Sequence, residues 1–213
     1  MRKVGIFCII LGILCLLASG GWSVYNALEA KNAENAANVL LQDVHEQIAM
    51  TEETVEEAPK EPLSQQMLTT QVSGYDCIGI LSIPVLELEL PVLTDWSYEK
   101  LKIAPCIYYG TYYEKNFVIA AHNYEGHFKR LSQLQAGDLI SFTDVSGLER
   151  MYEVTLLETL PGNATEEMIT AGFDLSLYTC TPGGSSRVTV RCNTIETLRG
   201  ISHNTTVRTE GGQ

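Results

Sequence analysis

Basic residues are scarce in this chain of 213 residues. Lysine and arginine number 14, against 26 aspartates and glutamates, and the formal net charge is −12 at pH 7. Proteins that bind nucleic acid neutralise phosphates with a basic surface, so this balance argues against a nucleic-acid partner. The negative charge instead favours the solubility of the solvent-exposed part of the chain.

Metal-ligand spacings are also missing. The six cysteines form no Cys-x-x-Cys pair and no Cys/His pattern of the zinc-site type, so the sequence predicts no metal and no cofactor. Two cysteines lie in an apolar run near the N-terminus, and four lie beyond it, at Cys77, Cys106, Cys180 and Cys192. Four cysteines permit two disulfides by count, and their pairing stays open from the sequence.

Charge is absent from residues 4–25, which are mostly apolar. About 20 such residues span a bilayer core as a helix. Arg2 and Lys3 precede the run and the segment after it is acidic, which predicts a cytoplasmic N-terminus and an extracellular remainder. A cleaved signal peptide is the alternative, but the apolar run exceeds the roughly 7–15 residues of a signal-peptide core. We expect an uncleaved, single-pass anchor in the cell membrane.

A stalk is expected between this anchor and the folded domain. Residues 27–49 carry apolar side chains at roughly helical spacing, so they predict a helix that could continue the membrane helix outward. Residues 50–62 are acidic, contain two prolines and have few apolar side chains. Such a segment buries too little surface to fold, and it is expected to be a spacer.

From Tyr75 onward, short strand-like segments alternate with turn residues. Strands are predicted at 77–83, 87–92, 106–108, 117–122, 139–143, 151–159, 175–180 and 187–195, and short helices at 127–133 and 166–171. About eight strands with little helix predict an all-β domain, a small closed barrel filled by its own side chains.

A cysteine and an arginine flank a predicted hairpin. Cys180 ends one strand, residues 181–186 contain a Pro-Gly-Gly turn, and Arg187 begins the next strand. Residues that flank a short hairpin loop lie close together, so the thiol and the guanidinium are expected to be neighbours. Arginine does not deprotonate in proteins and cannot be a base, but it can stabilise a thiolate or an oxyanion.

Arg191 is the less favoured alternative for this role. Four residues along a strand cover roughly 13 Å, too far to reach the same carbonyl as Arg187. Arg191 is expected to be an outward-facing surface charge. Cys192 alternates with Val188 and Val190 and is expected in the core.

A proton carrier is available at the end of the 117–122 strand. His122 follows the apolar run Phe-Val-Ile-Ala-Ala, and a strand end is a rigid support for a functional group. Histidine can manage the protons of a nucleophilic cysteine. His127 is the other candidate, but it is expected to begin a short helix at the surface.

These elements occur in an order that resembles the sortases, the membrane-anchored cysteine transpeptidases of Gram-positive bacteria. The matching segments are Ala121-His122-Asn123, His127-Phe128, Leu131 to Leu134 before Gly137-Asp138, and Thr179-Cys180 with a downstream arginine. The resemblance covers about residues 75–195. It implies an eight-stranded β-barrel in which Cys180 is the nucleophile, His122 the acid/base and Arg187 the oxyanion-stabilising residue.

The resemblance also implies the partners. These are a surface protein with an LPxTG-like sorting signal, cleaved after its threonine, and an acceptor amine from a cell-wall precursor or a pilin. Two alternatives stay open: an anchored, non-catalytic β-barrel binding module with Cys180 merely buried, and a cysteine hydrolase with water as acceptor. The segment Thr94-Asp95-Trp96 lacks the proline of the lid motif of pilin-polymerising sortases, which favours a sortase outside that group without excluding pilin substrates.

The predicted organisation has four parts. They are a cytoplasmic tip and membrane anchor at 1–26, a stalk at 27–74, the catalytic barrel at 75–196 and a polar tail at 197–213.

Overall fold

The computed structural model describes residues 2–54 and 66–195. The elements in chain order are α1 (Arg2–Thr54), β1 (Thr70–Val72), β2 (Tyr75–Ile83), β3 (Leu88–Leu93), α2 (Tyr98–Leu101), β4 (Cys106–Tyr109), β5 (Phe117–Ala120), β6 (Leu139–Asp144), β7 (Glu149–Pro161), α3 (Thr165–Ile169), β8 (Leu175–Cys180) and β9 (Ser186–Thr194). Short 3-10 helices occur at Pro84–Leu86 and Lys129–Gln133. The tail and most of the predicted spacer lie outside the described residues.

Eight strands close into a barrel. Their order around it is β2-β3-β4-β5-β8-β9-β7-β6, and β6 pairs back with β2. The pairs β3–β4 and β5–β8 are parallel, and the other pairs in the ring are antiparallel. The short β1 joins the edge of β2 outside the ring. The predicted eight-stranded closed barrel is therefore confirmed.

The barrel interior is filled by aliphatic and aromatic side chains, as expected for a ring of this size. Phe117, Phe142 and Ile140 are completely buried there, and so is Cys192, as predicted. Where β2 meets β6, the backbones approach so closely that a Cβ on Gly79 would lie 2.1 Å from the carbonyl oxygen of Thr143. A glycine is required at this closure.

The cysteines of the described barrel are free thiols. Cys77 and Cys106 are both register partners of Leu93, on opposite sides of β3. Two inter-strand spacings separate them, on the order of 9–10 Å, which exceeds the reach of a disulfide. A disulfide between Cys77 and Cys106, which the sequence left open, is therefore excluded by this separation.

α1 is one continuous helix, and it packs on the barrel. In the described part of the chain it is the one helix long and apolar enough to cross a membrane. Further along, an apolar stripe is buried against β1, β2 and β3; its members are Ala33, Ala37, Leu40, Val44 and Ile48. The spacing of four, three, four and four residues keeps this stripe on one helical face. The predicted stalk helix is therefore docked on the barrel along most of its length.

Candidate active site

His122 and Cys180 lie at the same rim of the barrel because β5 and β8 are parallel neighbours. Ala120 is the register partner of Tyr178, so His122 follows at the level of Cys180. The Thr179 hydroxyl donates a hydrogen bond to the Ala121 carbonyl at 2.8 Å and holds the two strand ends together. Neighbouring strands are about 4.8 Å apart, so this register sets the thiol beside the imidazole.

Arg187 is the register partner of Cys180 across the antiparallel β8–β9 pair. The proximity of Cys180 and Arg187 that the hairpin predicted is therefore confirmed. Gly183 and Gly184 both have positive φ, +86° and +75°, which explains the Pro-Gly-Gly turn. Arg187 Nη1 donates to the carbonyls of Gly184 and Ser186 at 2.9 and 3.1 Å. Among the described residues its Nε and Nη2 form no hydrogen bond, which leaves them for a substrate oxygen.

The three side chains share an open cleft of about 180 Å³. Aromatic residues form part of its lining: Trp96, Tyr98, Tyr108 and Tyr178. Residues around α3 form another part: Pro161, Gly162, Ala164, Thr165 and Met168. A mostly apolar cleft with a few polar groups is typical of a site that binds an organic ligand.

Trp96 and Tyr98 are site residues that the sequence analysis missed. Ser97 between them caps α2, and its hydroxyl oxygen accepts a hydrogen bond from the Lys100 backbone N–H at 3.1 Å. The Trp96 ring contacts Tyr98 and Tyr108 at centroid distances of 5.8 Å each. Two aromatic residues flanking a helix-capping serine, directly after a core strand, were the available signal.

Burial is the main influence on the pKa of His122 and lowers it, which favours the neutral imidazole. Among the smaller influences, the Glu29 carboxylate of α1 raises this pKa, the Lys102 charge lowers it and the Tyr98 backbone raises it. The His122 ring lies 4.8 Å from the Tyr124 ring. A neutral imidazole beside a thiol can accept a proton and later return it.

His127 was expected at the surface, and this prediction is wrong. The side chain is 1% exposed. Burial, followed by the neighbouring His122, lowers its pKa to about 4. Within the described residues, neither ring nitrogen forms a hydrogen bond. The backbones of Ile103 and of Ala33 in α1 lie near the ring and oppose this pKa shift less strongly than burial favours it. The α1 helix, nearly a hundred residues away in the sequence, therefore contributes to the burial of His127.

Arg191 was expected to be an outward-facing surface charge, and this prediction is also wrong. It is 1% exposed, and its guanidinium is paired with Glu158 at 2.8 Å. Its strand position is opposite Ser176, four residues from the Cys180–Arg187 pair. Arg191 does not line the cleft that Cys180 lines. Two carbonyls of α3 lie against the Arg191 guanidinium. The alternation of side chains along β9 therefore does not mean that this residue is exposed to solvent.

The other barrel cysteines are poorly suited to react. Burial raises the pKa of Cys77, Cys106 and Cys192 to about 12 each. Cys180 is half-buried and opens into the cleft. The described residues contain no group of three histidine, cysteine or carboxylate side chains that could hold a metal ion.

The sequence model of the sortase domain matches residues 81–195, more than half of the chain. The chain therefore belongs to the sortase family, and its closed barrel is the sortase fold. Membership of this family supports an enzyme of the cysteine transpeptidase type. A search of curated proteins found no match.

Several solved structures share the fold at low sequence identity. Sortase C of Streptococcus pneumoniae is 23% identical, with 75% of this chain and 92% of that chain covered and a TM-score of 0.51. The Clostridium perfringens sortase D5 transpeptidase is 20% identical, with coverages of 76% and 99% and a TM-score of 0.56. Listeria monocytogenes sortase A is 18% identical, with coverages of 56% and 88% and a TM-score of 0.52.

Proposed function

We propose that this protein is a cysteine transpeptidase that cleaves an LPxTG-like sorting signal after its threonine and transfers the surface protein to an amine. The observation that carries this proposal is that His122, two residues beyond the end of β5, lies at the same rim of the barrel as Cys180 on β8 and Arg187 on β9. The apolar cleft beside them has room for part of a peptide.

The first half-reaction forms a thioester. His122 takes the proton of the Cys180 thiol, and the sulfur attacks the carbonyl carbon of the substrate threonine. Arg187 donates hydrogen bonds to the resulting oxyanion through the N–H groups that the hairpin leaves free. His122 then protonates the leaving amine, and the carbon–nitrogen bond breaks.

The second half-reaction transfers the acyl group. An incoming amine attacks the thioester carbonyl, His122 accepts the amine proton, and the carbon–sulfur bond breaks. The departing Cys180 thiolate then takes this proton from His122, which restores the thiol and the neutral imidazole. The new bond is an amide, so the energy of the cleaved peptide bond is retained in the product. We propose that the amine comes from a cell-wall precursor or a pilin.

We propose an N-in orientation, with the barrel outside the cell. The uncharged run at 4–25 follows Arg2 and Lys3, and the helix that contains it meets the length and composition of a membrane span. A short membrane-to-barrel distance would hold the cleft near substrates that are tethered to the same surface, which raises their effective concentration. Protease added to intact cells should digest the barrel, and complete protection would contradict this orientation.

A panel of sorting-signal peptides, incubated with the full-length protein with and without an added amine, tests the activity. We expect cleavage after threonine in both cases, and an amide product when the amine is present. Cleavage to the free acid alone, at any amine concentration, would favour the cysteine hydrolase. Peptide binding without cleavage would favour the binding module.

A further inference from the structure

One buried guanidinium joins four parts of the fold behind the cleft. Arg191 on β9 donates from Nε to a Glu158 carboxylate oxygen of β7 at 2.8 Å and from Nη1 to the Ser176 hydroxyl of β8 at 2.9 Å. It also donates to the carbonyls of Met168 and Glu167 in α3 at 3.0 and 2.8 Å. Four of the five N–H groups of the fork are thereby used.

The two carbonyl contacts matter because α3 is very short. A helix of five residues is not stable by itself, and its last carbonyls have no partner within the helix. A positive charge at this end is favourable, and a planar fork can reach two carbonyls at once. Arg191 therefore supplies both the hydrogen bonds and the charge that hold α3 in place.

α3 is also a wall of the cleft. Thr165 and Met168 of this helix, together with Ala164 just before it, line the same space as Cys180. Met168 connects the two features directly, because its carbonyl accepts a hydrogen bond from Arg191 and the same residue lines the cleft. Ser176 is four residues before Cys180 on β8. The guanidinium thus ties the wall to the strand that carries the nucleophile.

We propose that Arg191 is a positioning residue that fixes α3 as the substrate-binding wall of the cleft. This inference rests on the proposed function, because the wall is taken to contact the sorting-signal peptide. Arg191 touches neither the thiol nor the reacting carbonyl, so its loss should weaken peptide recognition and leave the chemistry at Cys180 unchanged.

Arg191→Lys in the full-length protein, in detergent micelles, tests the inference. The lysine keeps the charge, but one ammonium group cannot reach all four acceptors. We expect the KM for a sorting-signal peptide to rise roughly tenfold, with kcat and the rate of Cys180 alkylation by iodoacetamide within about twofold of wild type. Ser176→Ala removes one contact and should raise KM less, which keeps the test usable if the lysine variant misfolds.

Arg150→Lys is the matched control. Arg150 is also largely buried, pairs with Asp144 at 3.1 Å and stacks over Tyr112 at 4.3 Å, but it does not line the cleft. This variant should lose stability and keep the wild-type KM. An equal rise of KM in both variants would mean general destabilisation and would overturn the inference.

Amide hydrogen exchange separates this inference from the proposed function. We expect Arg191→Lys to speed exchange in residues 165–170 and to leave residues 175–180 protected. A folded Arg191→Lys protein with unchanged exchange in α3, or with a wild-type KM, overturns the positioning role. A wild-type protein that forms no thioester with any peptide refutes the proposed function, and the exchange experiment still decides whether Arg191 holds α3.

Discussion

Cys180 and Arg187 are direct partners across the β8–β9 hairpin. The pairing sets a guanidinium beside the thiol without relying on a mobile loop, because both residues belong to strands. The hairpin carbonyls hold only one nitrogen of the fork. The arrangement is therefore suited to receive the oxygen of an attacked carbonyl.

Replacement of Arg187 by lysine should reduce turnover on the order of 10²–10³-fold, the typical effect of losing one oxyanion donor. The charge remains, but the planar fork is lost. Single-turnover acylation with a sorting-signal peptide measures the effect. Ser185→Ala, in the same hairpin, serves as the control and should stay near wild type. An Arg187→Lys enzyme of wild-type rate would remove Arg187 from the oxyanion role.

Replacement of His122 by glutamine should cost roughly 10²–10⁴-fold in peptide cleavage, since general acid–base help is lost. Glutamine keeps polarity and approximate size, so the cleft should remain intact. Asn123→Ala is the neighbouring control, because Asn123 does not line the cleft. Comparable losses in both variants, with both proteins folded, would argue that the segment matters for structure and not for proton transfer.

Cys180 should react with iodoacetamide roughly tenfold or more faster than the other barrel cysteines, because the thiolate is the reactive form and burial suppresses it elsewhere. Peptide mapping after brief labelling gives the site. Cys180→Ser should abolish the fast phase. Fast labelling of Cys77 or Cys192 in the folded protein would contradict the burial described here.

The docked helix should stabilise the barrel. Val44→Ala in α1 creates a cavity at the helix–barrel contact and should cost roughly 2 kcal/mol of unfolding free energy. Val39→Ala, on the exposed face of the same helix, should stay within about 0.5 kcal/mol of wild type. Urea unfolding of the full-length proteins followed by tryptophan fluorescence measures both. Equal effects would mean that α1 does not dock.

The same contact predicts the behaviour of truncated proteins. A fragment that begins at residue 27 keeps the docked stripe, whereas one that begins at Met67 exposes the apolar surface that the stripe covers. Each buried aliphatic side chain contributes roughly 1.5–3 kcal/mol. The longer fragment should therefore unfold at a clearly higher urea concentration, and identical midpoints would contradict the docking.

Acid should destabilise the folded barrel through His127. Its pKa is about 4 in the folded protein and about 6.5 when unfolded, so only the unfolded chain gains this proton between these values. The stability that depends on neutral His127 is present above pH 6.5, falls as the pH drops towards 4, and amounts to roughly 3 kcal/mol. His127→Phe should remove this part of the pH dependence. Parallel stability curves for the two proteins from pH 7 to pH 4 would be the contrary result.

The local sequence pattern was sufficient to predict the barrel and the hairpin that joins Cys180 to Arg187. The strand segments either alternate apolar and polar residues or are uniformly apolar. The Pro-Gly-Gly turn determines which residues of β8 and β9 are register partners. The spacing of residues in the sequence did not predict that β5 and β8 are parallel neighbours. This pairing brings His122 to Cys180 over nearly sixty residues of sequence, and the family resemblance supplied that expectation.

The residues that were misjudged are covered by elements distant in the sequence. Arg191 alternates with core residues on β9 and is nevertheless buried, because carbonyls of α3 lie against its guanidinium. His127 is buried beneath α1. In α1 itself, Ala33 and Ala37 belong to the docking face while Leu28 and Val39 are exposed, so hydrophobicity alone did not identify the side that packs.

The central claim is that Cys180 forms a thioester with a sorting-signal peptide, and intact-mass spectrometry of the full-length protein tests it most directly. After incubation with a cleavable peptide, we expect an adduct equal to the acyl fragment that ends in threonine. The adduct should map to Cys180, be released by hydroxylamine and be absent from Cys180→Ala. Peptide cleavage without any adduct, or an adduct that persists in the Cys180→Ala protein, would contradict the account.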